Sequence, residues 1–349
     1  MPCPDVVTNQ IGMNRILFVE LLGGIGDVLI ALPAIQALGR SHPNASLTVL
    51  TFLPGGDLLK ADPLINHVEI AQKGQAKQAI ETLITQQKYD LIVSDTNYDN
   101  IDQTIHLSDA DRVVTNLWRS PPDDEFVSDH FLKILLSEGL ICTDAIAAPQ
   151  LHITQEEQQN AHKKLGGIKS PIVVLYPDSG MQIKQWSIEN FVRLGQELQK
   201  ELNASIVVPI GSDANQVTEL VQQIGGTAQI WQPGTLRELA AMLSQADLTI
   251  ASDTGSARIS AAVGTQTVTL FGPSWQGRYG QPAPHINIQG YPECPERVIQ
   301  NFTTQHCWYS GVCPFEQWNT CLDEISVDRV MAICVSLLKA QSQQWIQSV

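Results

Sequence analysis

The chain has 349 residues, enough for about two domains, and its 43% hydrophobic and 16% charged residues are ample for globular cores. A formal net charge of -15 and a pI near 4.8 argue against general nucleic-acid binding, because neutralising phosphates needs Lys and Arg. No apolar run approaches the ~18–20 residues of a membrane span, and seven cysteines, an odd number, suit a reducing cytosol better than a disulfide framework.

The first 14 residues, "MPCPDVVTNQIGMN", lack the positive region and apolar core of a secretory leader. They read as a tail, and Met13 is a second candidate start. In a reducing compartment the Asn-X-Ser/Thr triplets at Asn44, Asn203 and Asn301 are chance matches. No Lys/Arg run supplies a basic patch for an anionic membrane surface.

From residue 15 the chain alternates strand and helix. "RILFVE" (15–20), "LTVLTF" (47–52), "HVEIA" (67–71), "DLIVSD" (90–95) and "DRVVTN" (111–116) are short, apolar and β-branched, which predicts buried strands. Helical segments are expected at 28–40 and 75–88. A polar helix followed by glycines lies within 151–170 and reads as a linker. The second half repeats the scheme: "PIVVLYP" (171–177), "SIVVPIG" (205–211), "DLTIAS" (247–252) and "TVTLFGP" (267–273) as strands. Helices are expected near 188–201, 213–224, 235–245 and 256–263. After about residue 275 the sequence turns irregular and rich in Pro, Cys and Trp, then closes with a helix near 326–342.

Such alternation implies parallel sheets covered on both faces. The expected fold is α/β, with two doubly wound domains over 15–150 and 171–325, a tail at 1–14 and a C-terminal helix in 326–349. Ligands of open parallel sheets bind beyond the carboxyl ends of the strands, so two such sheets are expected to face a cleft.

The stretch "LLGGIGDVLIALPAIQALGR" (21–40) sits at such a strand end. Gly23, Gly24 and Gly26 permit a tight turn and leave N–H groups open at a helix start. A dinucleotide fingerprint fails here: Leu29 occupies the third glycine position, and "VLTFLPGG" offers no acidic residue for a ribose. Asp27 reads either as a helix N-cap or first-turn residue favoured by the dipole, or as a carboxylate poised to take a proton from a hydroxyl. One position can serve both. In the second half, "SDTGSARISAAVG" (252–264) reads as a strand–turn–helix with Asp253 as its cap, or as a phosphate cradle in which Thr254 and Gly255 present N–H groups and a hydroxyl.

The segment 16–51, with Gly26-Asp27, Pro33 and "HPNASLTVLT", resembles the opening of family 9 glycosyltransferases, the ADP-heptose:lipopolysaccharide heptosyltransferases and their relatives. The segment "TLRELAAMLSQADLTIASDTGSARISAAVGTQTVTLFGPS" resembles that family's Asp-Thr-Gly stretch and Phe-Gly-Pro strand end, and "KQW" (184–186) its Lys-x-Trp. The resemblance runs in order over roughly 15–275. It implies a GT-B architecture and inverting, metal-independent transfer from a nucleotide diphosphate sugar. The implied donor is ADP-heptose or a related ADP-sugar, with no cofactor. A glycan or lipid-linked saccharide, such as the lipopolysaccharide core, is the implied acceptor. It further implies a cytoplasmic enzyme with peripheral contact at the inner membrane.

By this resemblance Asp27 is the general base and Lys184 stabilises the departing diphosphate. An ordinary Asp is too weak to deprotonate an alcohol beforehand, but it can accept the proton as the C–O bond forms. Gly24, Gly26, Gly211, Asn215, Asp253, Thr254, Gly255, Ser256 and Arg258 are the expected donor-binding positions. Lys184 reads equally as a solvated loop lysine, and Trp186 as a packing anchor before a helix capped by Ser187. Arg258 stands where the family has histidine: its guanidinium could grip a diphosphate or mark a changed donor. Asn215 stands where an acidic residue would hold ribose hydroxyls, with Asp213 as a candidate substitute, and Gln266 where proline is frequent. These departures motivate an alternative, a catalytically altered relative that binds nucleotide sugars or glycans. Asp95, Asn97 and Arg119 are candidate acceptor contacts, in segments that also read as polar turns or loops.

Cys294, Cys307, Cys313 and Cys321 cluster within 28 residues. Four soft ligands could hold zinc or an iron–sulfur cluster. The spacing matches no C-x2-C knuckle, so reduced cysteines packing a loop-rich region, with Trp308 and Trp318 as anchors, are the expected arrangement and no metal is assigned.

Overall fold

A computed structural model of the protein describes residues 13–120, 124–232, 234–297, 299, 306–315 and 320–347. Most of the expected tail, as well as Asn301 and Trp318, lies outside them. The chain divides into two compact units between His152 and Ile153.

The first unit runs β1 (Arg15–Val19), α1 (Ile25–Ser41), β2 (Ser46–Phe52), α2 (Gly55–Leu59), β3 (His67–Ala71), α3 (Ala76–Gln86), β4 (Leu91–Ser94), α4 (Ile101–His106), β5 (Arg112–Val114) and α5 (Val127–Ser137). Its strands form a parallel sheet of order β3-β2-β1-β4-β5. Val19 of β1 pairs with Leu50 of β2 on one side and Ser94 of β4 on the other. The crossover from β1 is α1, whose residues Val28 to Gly39 are all buried. A helix apolar all round belongs inside a fold, and α1 packs on α5.

The second unit runs α6 (Gln155–Leu165), β6 (Ile172–Tyr176), α7 (Ile188–Leu202), β7 (Ser205–Pro209), α8 (Ala214–Ile224), β8 (Gln229–Trp231), α9 (Leu236–Leu243), β9 (Leu248–Ser252), α10 (Gly255–Ala262), β10 (Thr267–Phe271), α11 (Gln276–Tyr279), β11 (Ile286–Gln289), α12 (His306–Ser310) and α13 (Val327–Gln347). Its parallel sheet has the order β11-β10-β9-β6-β7-β8. The strand order reverses between β6 and β9, the switch point where ligands of doubly wound sheets collect. Together these are two Rossmann-like α/β units, the GT-B class.

Two strands were not expected. β8 has three residues, too few to show a period. β11, "INIQ", lies inside the irregular stretch and gains its identity only by pairing with β10. The polar helix α6 is not a free connector. Thr154 and Glu157 cap it reciprocally, Thr154 Oγ1 accepting from Glu157 N at 3.2 Å and Glu157 Oε2 from Thr154 N at 2.8 Å. Arg237 of α9 then donates from Nη2 to Glu157 Oε2 at 2.7 Å and ties α6 to the second unit. The closing helix α13 likewise buries Val330, Met331, Cys334 and Leu338 in that unit's core.

One polar side chain in α1 organises the end of the first unit. Gln36, fully buried, donates from Nε2 to Asp62 Oδ2 and to Gln150 O, both at 2.7 Å, and accepts from Gln150 N at 3.1 Å. Gln36→Leu keeps the bulk but leaves a buried carboxylate and backbone groups unpaired. It is expected to cost about 2–3 kcal/mol, read as a lower urea midpoint at unchanged slope.

Candidate functional site

The first candidate centre lies at the carboxyl ends of β1 and β4. The turn 20–24 carries the chain from β1 into α1, with Gly24 as the helix N-cap and Asp27 at the third helical position. Asp27 is therefore not the cap residue itself. It reaches back instead: Gly24 N donates to Asp27 Oδ2 at 3.2 Å. A Cβ on residue 24 would stand 2.3 Å from that oxygen, so a larger residue there would displace the carboxylate. Gly26 lies inside the first turn of α1.

Two further carboxyls share this corner. Glu20 follows β1 and is held by Thr51 Oγ1, which donates to Oε2 at 2.6 Å, and by Leu22 N, which donates to Oε1 at 3.1 Å. Burial above all pushes the Glu20 carboxyl up, to about 7; the Thr51 bond opposes this and the charge of Asp27 adds to it. Asp95 follows β4 and is 1% exposed, with the neighbouring Thr96 hydroxyl as a donor that favours its charged form. Burial, then the charges of Glu20 and Asp27, raise it well above the ordinary carboxylate range. Asp95 is thus a buried group rather than part of an open polar turn, whereas Asn97 is exposed. Arg119 pairs with Glu138 at 3.4 Å and donates to Thr115 O at 2.8 Å. Glu20 was not singled out from the sequence; its signal was a charged residue closing an otherwise apolar strand.

The second centre lies at the carboxyl ends of β6 and β9, the switch point. Lys184 is not a solvated loop lysine. Its side chain is 16% exposed and its Nζ stands 3.1 Å from Asp253 Oδ2 and 4.8 Å from the centre of the Trp308 ring. Asp253 also accepts from Ser274 Oγ at 2.5 Å, with Arg258 Nη2 4.0 Å from its other oxygen. Burial alone would push this carboxyl up most strongly, yet Lys184, Arg258 and the Ser274 hydroxyl together outweigh it and hold Asp253 below its ordinary range. Asp253 is spent on this cluster. The cap of α10 is Thr254, whose hydroxyl accepts from Ala257 N at 3.4 Å. Gly255 and Ser256 open the helix, where N–H groups lack partners from within it. Arg258 also donates from Nη2 to Tyr279 O.

The loop bearing Lys184 is pinned from far along the chain. Trp186 Nε1 donates to Ile325 O at 3.0 Å and Thr320 Oγ1 donates to Ile183 O at 2.8 Å. Trp186 is buried edge-on to Phe191, with ring centres 5.1 Å apart. It is the packing anchor the sequence suggested, and Ser187 Oγ accepts from Asn190 N at 3.2 Å as the α7 cap.

Gly211 and Asn215 lie after β7. A Cβ at Gly211 would stand 2.1 Å from Asp178 Oδ2, an oxygen that accepts from Ser212 N at 2.5 Å. Asp178, at the end of β6, was missed by sequence reading. Asp213 Oδ1 caps α8 by accepting from Asn215 N at 2.9 Å and Gln216 N at 3.0 Å. The Asn215 side chain is exposed.

Cys294, Cys307, Cys313 and Cys321 line one cavity with Tyr291, Arg297 and Phe315. Burial pushes the Cys307 and Cys321 thiols up, the latter to about 11. Among the described residues, no group of three His, Cys, Asp or Glu is arranged to hold a metal ion.

Residues 135–305 match the profile of glycosyltransferase family 9 (heptosyltransferase). The chain is a heptosyltransferase-like glycosyltransferase. A curated relative is lipopolysaccharide heptosyltransferase 3 of Escherichia coli, 24% identical over 277 residues that cover 71% of this chain and 80% of the relative. Among solved structures, a family 9 glycosyl transferase from Veillonella parvula superposes with a TM-score of 0.77 at 19% identity, covering 96% of this chain and 100% of its own. The E. coli ADP-heptose lps heptosyltransferase II gives 0.69 at 15% identity, covering 94% and 99%. The matched stretch 135–305 contains the Lys184–Asp253 centre and leaves Asp27 outside.

The Lys184–Asp253 pair yields a pH-dependent expectation. A depressed Asp253 contributes stability that is present above its unfolded pKa, near 4, and is lost as pH falls through the lower folded value. Lys184→Gln is expected to cost up to about 3 kcal/mol at pH 7 by leaving a buried carboxylate short of a partner. The gap in urea midpoint between the two proteins should shrink as pH falls below about 4.

Proposed function

We propose that this glycosyltransferase is inverting and metal-independent, and that it moves a sugar from an ADP-linked donor, heptose being favoured, onto the lipopolysaccharide core or another glycan. The observation that carries the reading is the Asp27 carboxylate, bonded to the Gly24 N–H at a spot where a larger residue would have to push it aside. A carboxylate so fixed, at the mouth of a parallel sheet, suits a proton acceptor in a displacement reaction.

In this reading Asp27 takes the proton of the acceptor hydroxyl as its oxygen bonds the anomeric carbon. The bond from that carbon to the diphosphate breaks, and the electron pair leaves with the phosphate. The second unit supplies what the leaving group needs. Gly255 and Ser256 present N–H groups at a helix start, and Lys184 and Arg258 add positive charge. Asp253 holds the two cations near each other, and a diphosphate competes with it for them. Gly211 and Asn215 are assigned to the nucleoside side of the donor. ADP is the nucleotide favoured because the heptosyltransferase II neighbour is described as acting with ADP-heptose. No helix of the described residues is long and apolar enough to cross a membrane. We place the enzyme in the cytoplasm, in peripheral contact with the inner membrane where a lipid-linked acceptor would present itself.

A second reading is a relative that binds nucleotide sugars without turnover. It is favoured by Arg258, whose guanidinium is already engaged by Tyr279 O, and by the neutral, exposed Asn215. Two measurements separate the readings. With ADP-heptose and core-oligosaccharide acceptors, Asp27→Asn is expected to lower kcat by roughly 10²–10⁴ while ADP still binds. In a thermal-shift panel of ADP, UDP, GDP and NAD, ADP at 100 Kd is expected to stabilise by roughly 2.7 kcal/mol. Turnover that survives Asp27→Asn would remove Asp27 as base. Binding of ADP-sugar without turnover on any acceptor would favour the second reading.

A further inference from the structure

Lys184 is held from two sides. On one side Asp253 Oδ2 stands 3.1 Å from its Nζ. On the other the Trp308 ring of α12 has its centre 4.8 Å from the same nitrogen. A cation within about 6 Å of an aromatic ring is drawn to its face, and tryptophan is the strongest such partner. The contact is part of a longer seam. Ile183 and Cys307, the residues just before the lysine and the tryptophan, both line the cavity of the four thiols. The first residue of each pair shares that cavity, and the second of each pair makes the contact. All of these groups lie in the second unit.

Packing alone is a poor reason for a tryptophan at this position. Its indole N–H is buried and finds no acceptor among the described residues. A buried donor without a partner lowers stability, and phenylalanine or leucine would fill space without that loss. The ring face supplies a reason. A lysine side chain is a flexible four-carbon stem ending in a strongly hydrated point charge, so fixing it takes partners. A second carboxylate would fix the ammonium but also cancel its charge, leaving little for a diphosphate. A neutral aromatic face fixes it and leaves the charge in place.

We propose that Trp308 is a positioning residue for the sugar transfer, its ring holding the Lys184 ammonium where the departing diphosphate gathers charge. This rests on the reading that Lys184 stabilises that leaving group. Charge on the leaving oxygen grows towards the transition state, so an ammonium already in place favours that state over the bound donor. Loss of the ring is therefore felt in kcat more than in KM.

Kinetics and a measurement independent of turnover check this in the full-length protein, with folding of each variant verified by circular dichroism. With ADP-heptose and core-oligosaccharide acceptors, Trp308→Leu is expected to lower kcat roughly tenfold and to change the donor KM less than about twofold. Trp308→Phe keeps a ring face and should retain at least about a third of the wild-type kcat. Added to Lys184→Gln, Trp308→Leu should lower kcat less than about twofold further, because the group it acts through is already gone. In protein carrying ¹³C-labelled lysine, the Lys184 ε-methylene NMR signal, identified by its loss in Lys184→Gln, should lie upfield under the ring. It should return to the ordinary lysine position in Trp308→Leu, or in Trp308→Met if the leucine variant does not fold. Losses that multiply in the double variant would overturn the proposal. So would a loss confined to KM, or a wild-type Lys184 signal that shows no upfield shift. Full turnover by Lys184→Gln, with the shifted signal present in the wild type, would instead sink the leaving-group reading of Lys184 and leave the ring contact standing.

Discussion

Parallel strands must be joined by crossovers, and crossovers gather every loop that follows a strand at one edge of the sheet. That constraint determines where this protein can keep chemistry. Glu20 and Asp95 follow β1 and β4; Asp178 and Asp253 follow β6 and β9. Each unit therefore gathers backbone ends, helix starts and short polar loops at that edge. The acidic side chains at these ends do not need to be on flexible arms. Their positions follow from strand register, as in the Val19–Ser94 pairing that brings the next two residues, both acids, side by side.

The two centres handle charge in opposite ways. At Lys184, burial is offset by pairing: a lysine, an arginine and a hydroxyl surround Asp253 and keep it ionised. At Glu20, burial meets only neutral donors and other acids, so the carboxyls shift towards their protonated forms. A site for an anion needs cations that are already ordered. A site that takes up a proton needs a carboxylate whose neighbours make it hold that proton well. In the proposed reaction the two environments would serve its two halves, the departure of a charged group and the loss of a proton.

Much of this was legible from sequence because it depends on local patterns. Nine of the strands announce themselves as short β-branched runs, and glycines at 23, 24 and 26 mark the turn before α1. The role of Ser187 as a cap was also readable, since it depends on a residue three positions on, and Trp186 was readable as an anchor from its place before that helix, though not its tie to Ile325. What was not legible depends on distant pairing. The state of Lys184 rests on Asp253, 69 positions away. Glu20 looks like the end of a strand until Asp95, from another strand, is set beside it. The cap of α10 passed from Asp253 to Thr254 because the Asp was already taken by a lysine that the local sequence does not contain. β11 exists only as a partner of β10, and its own residues carry no period that would announce it.

The pins on the Lys184 loop have a temporal side. Trp186 and Ile183 are tied to Ile325 and Thr320, 139 and 137 positions later. A nascent chain emerges from the ribosome in order, so the loop that presents the lysine is made early and must wait for its fasteners. Until residue 325 has cleared the exit tunnel, the second unit can have most of its strands and still lack a fixed hand to offer a phosphate. Newly made protein would fasten the Lys184 loop only as α13 is delivered, well after the residues of the first unit have emerged.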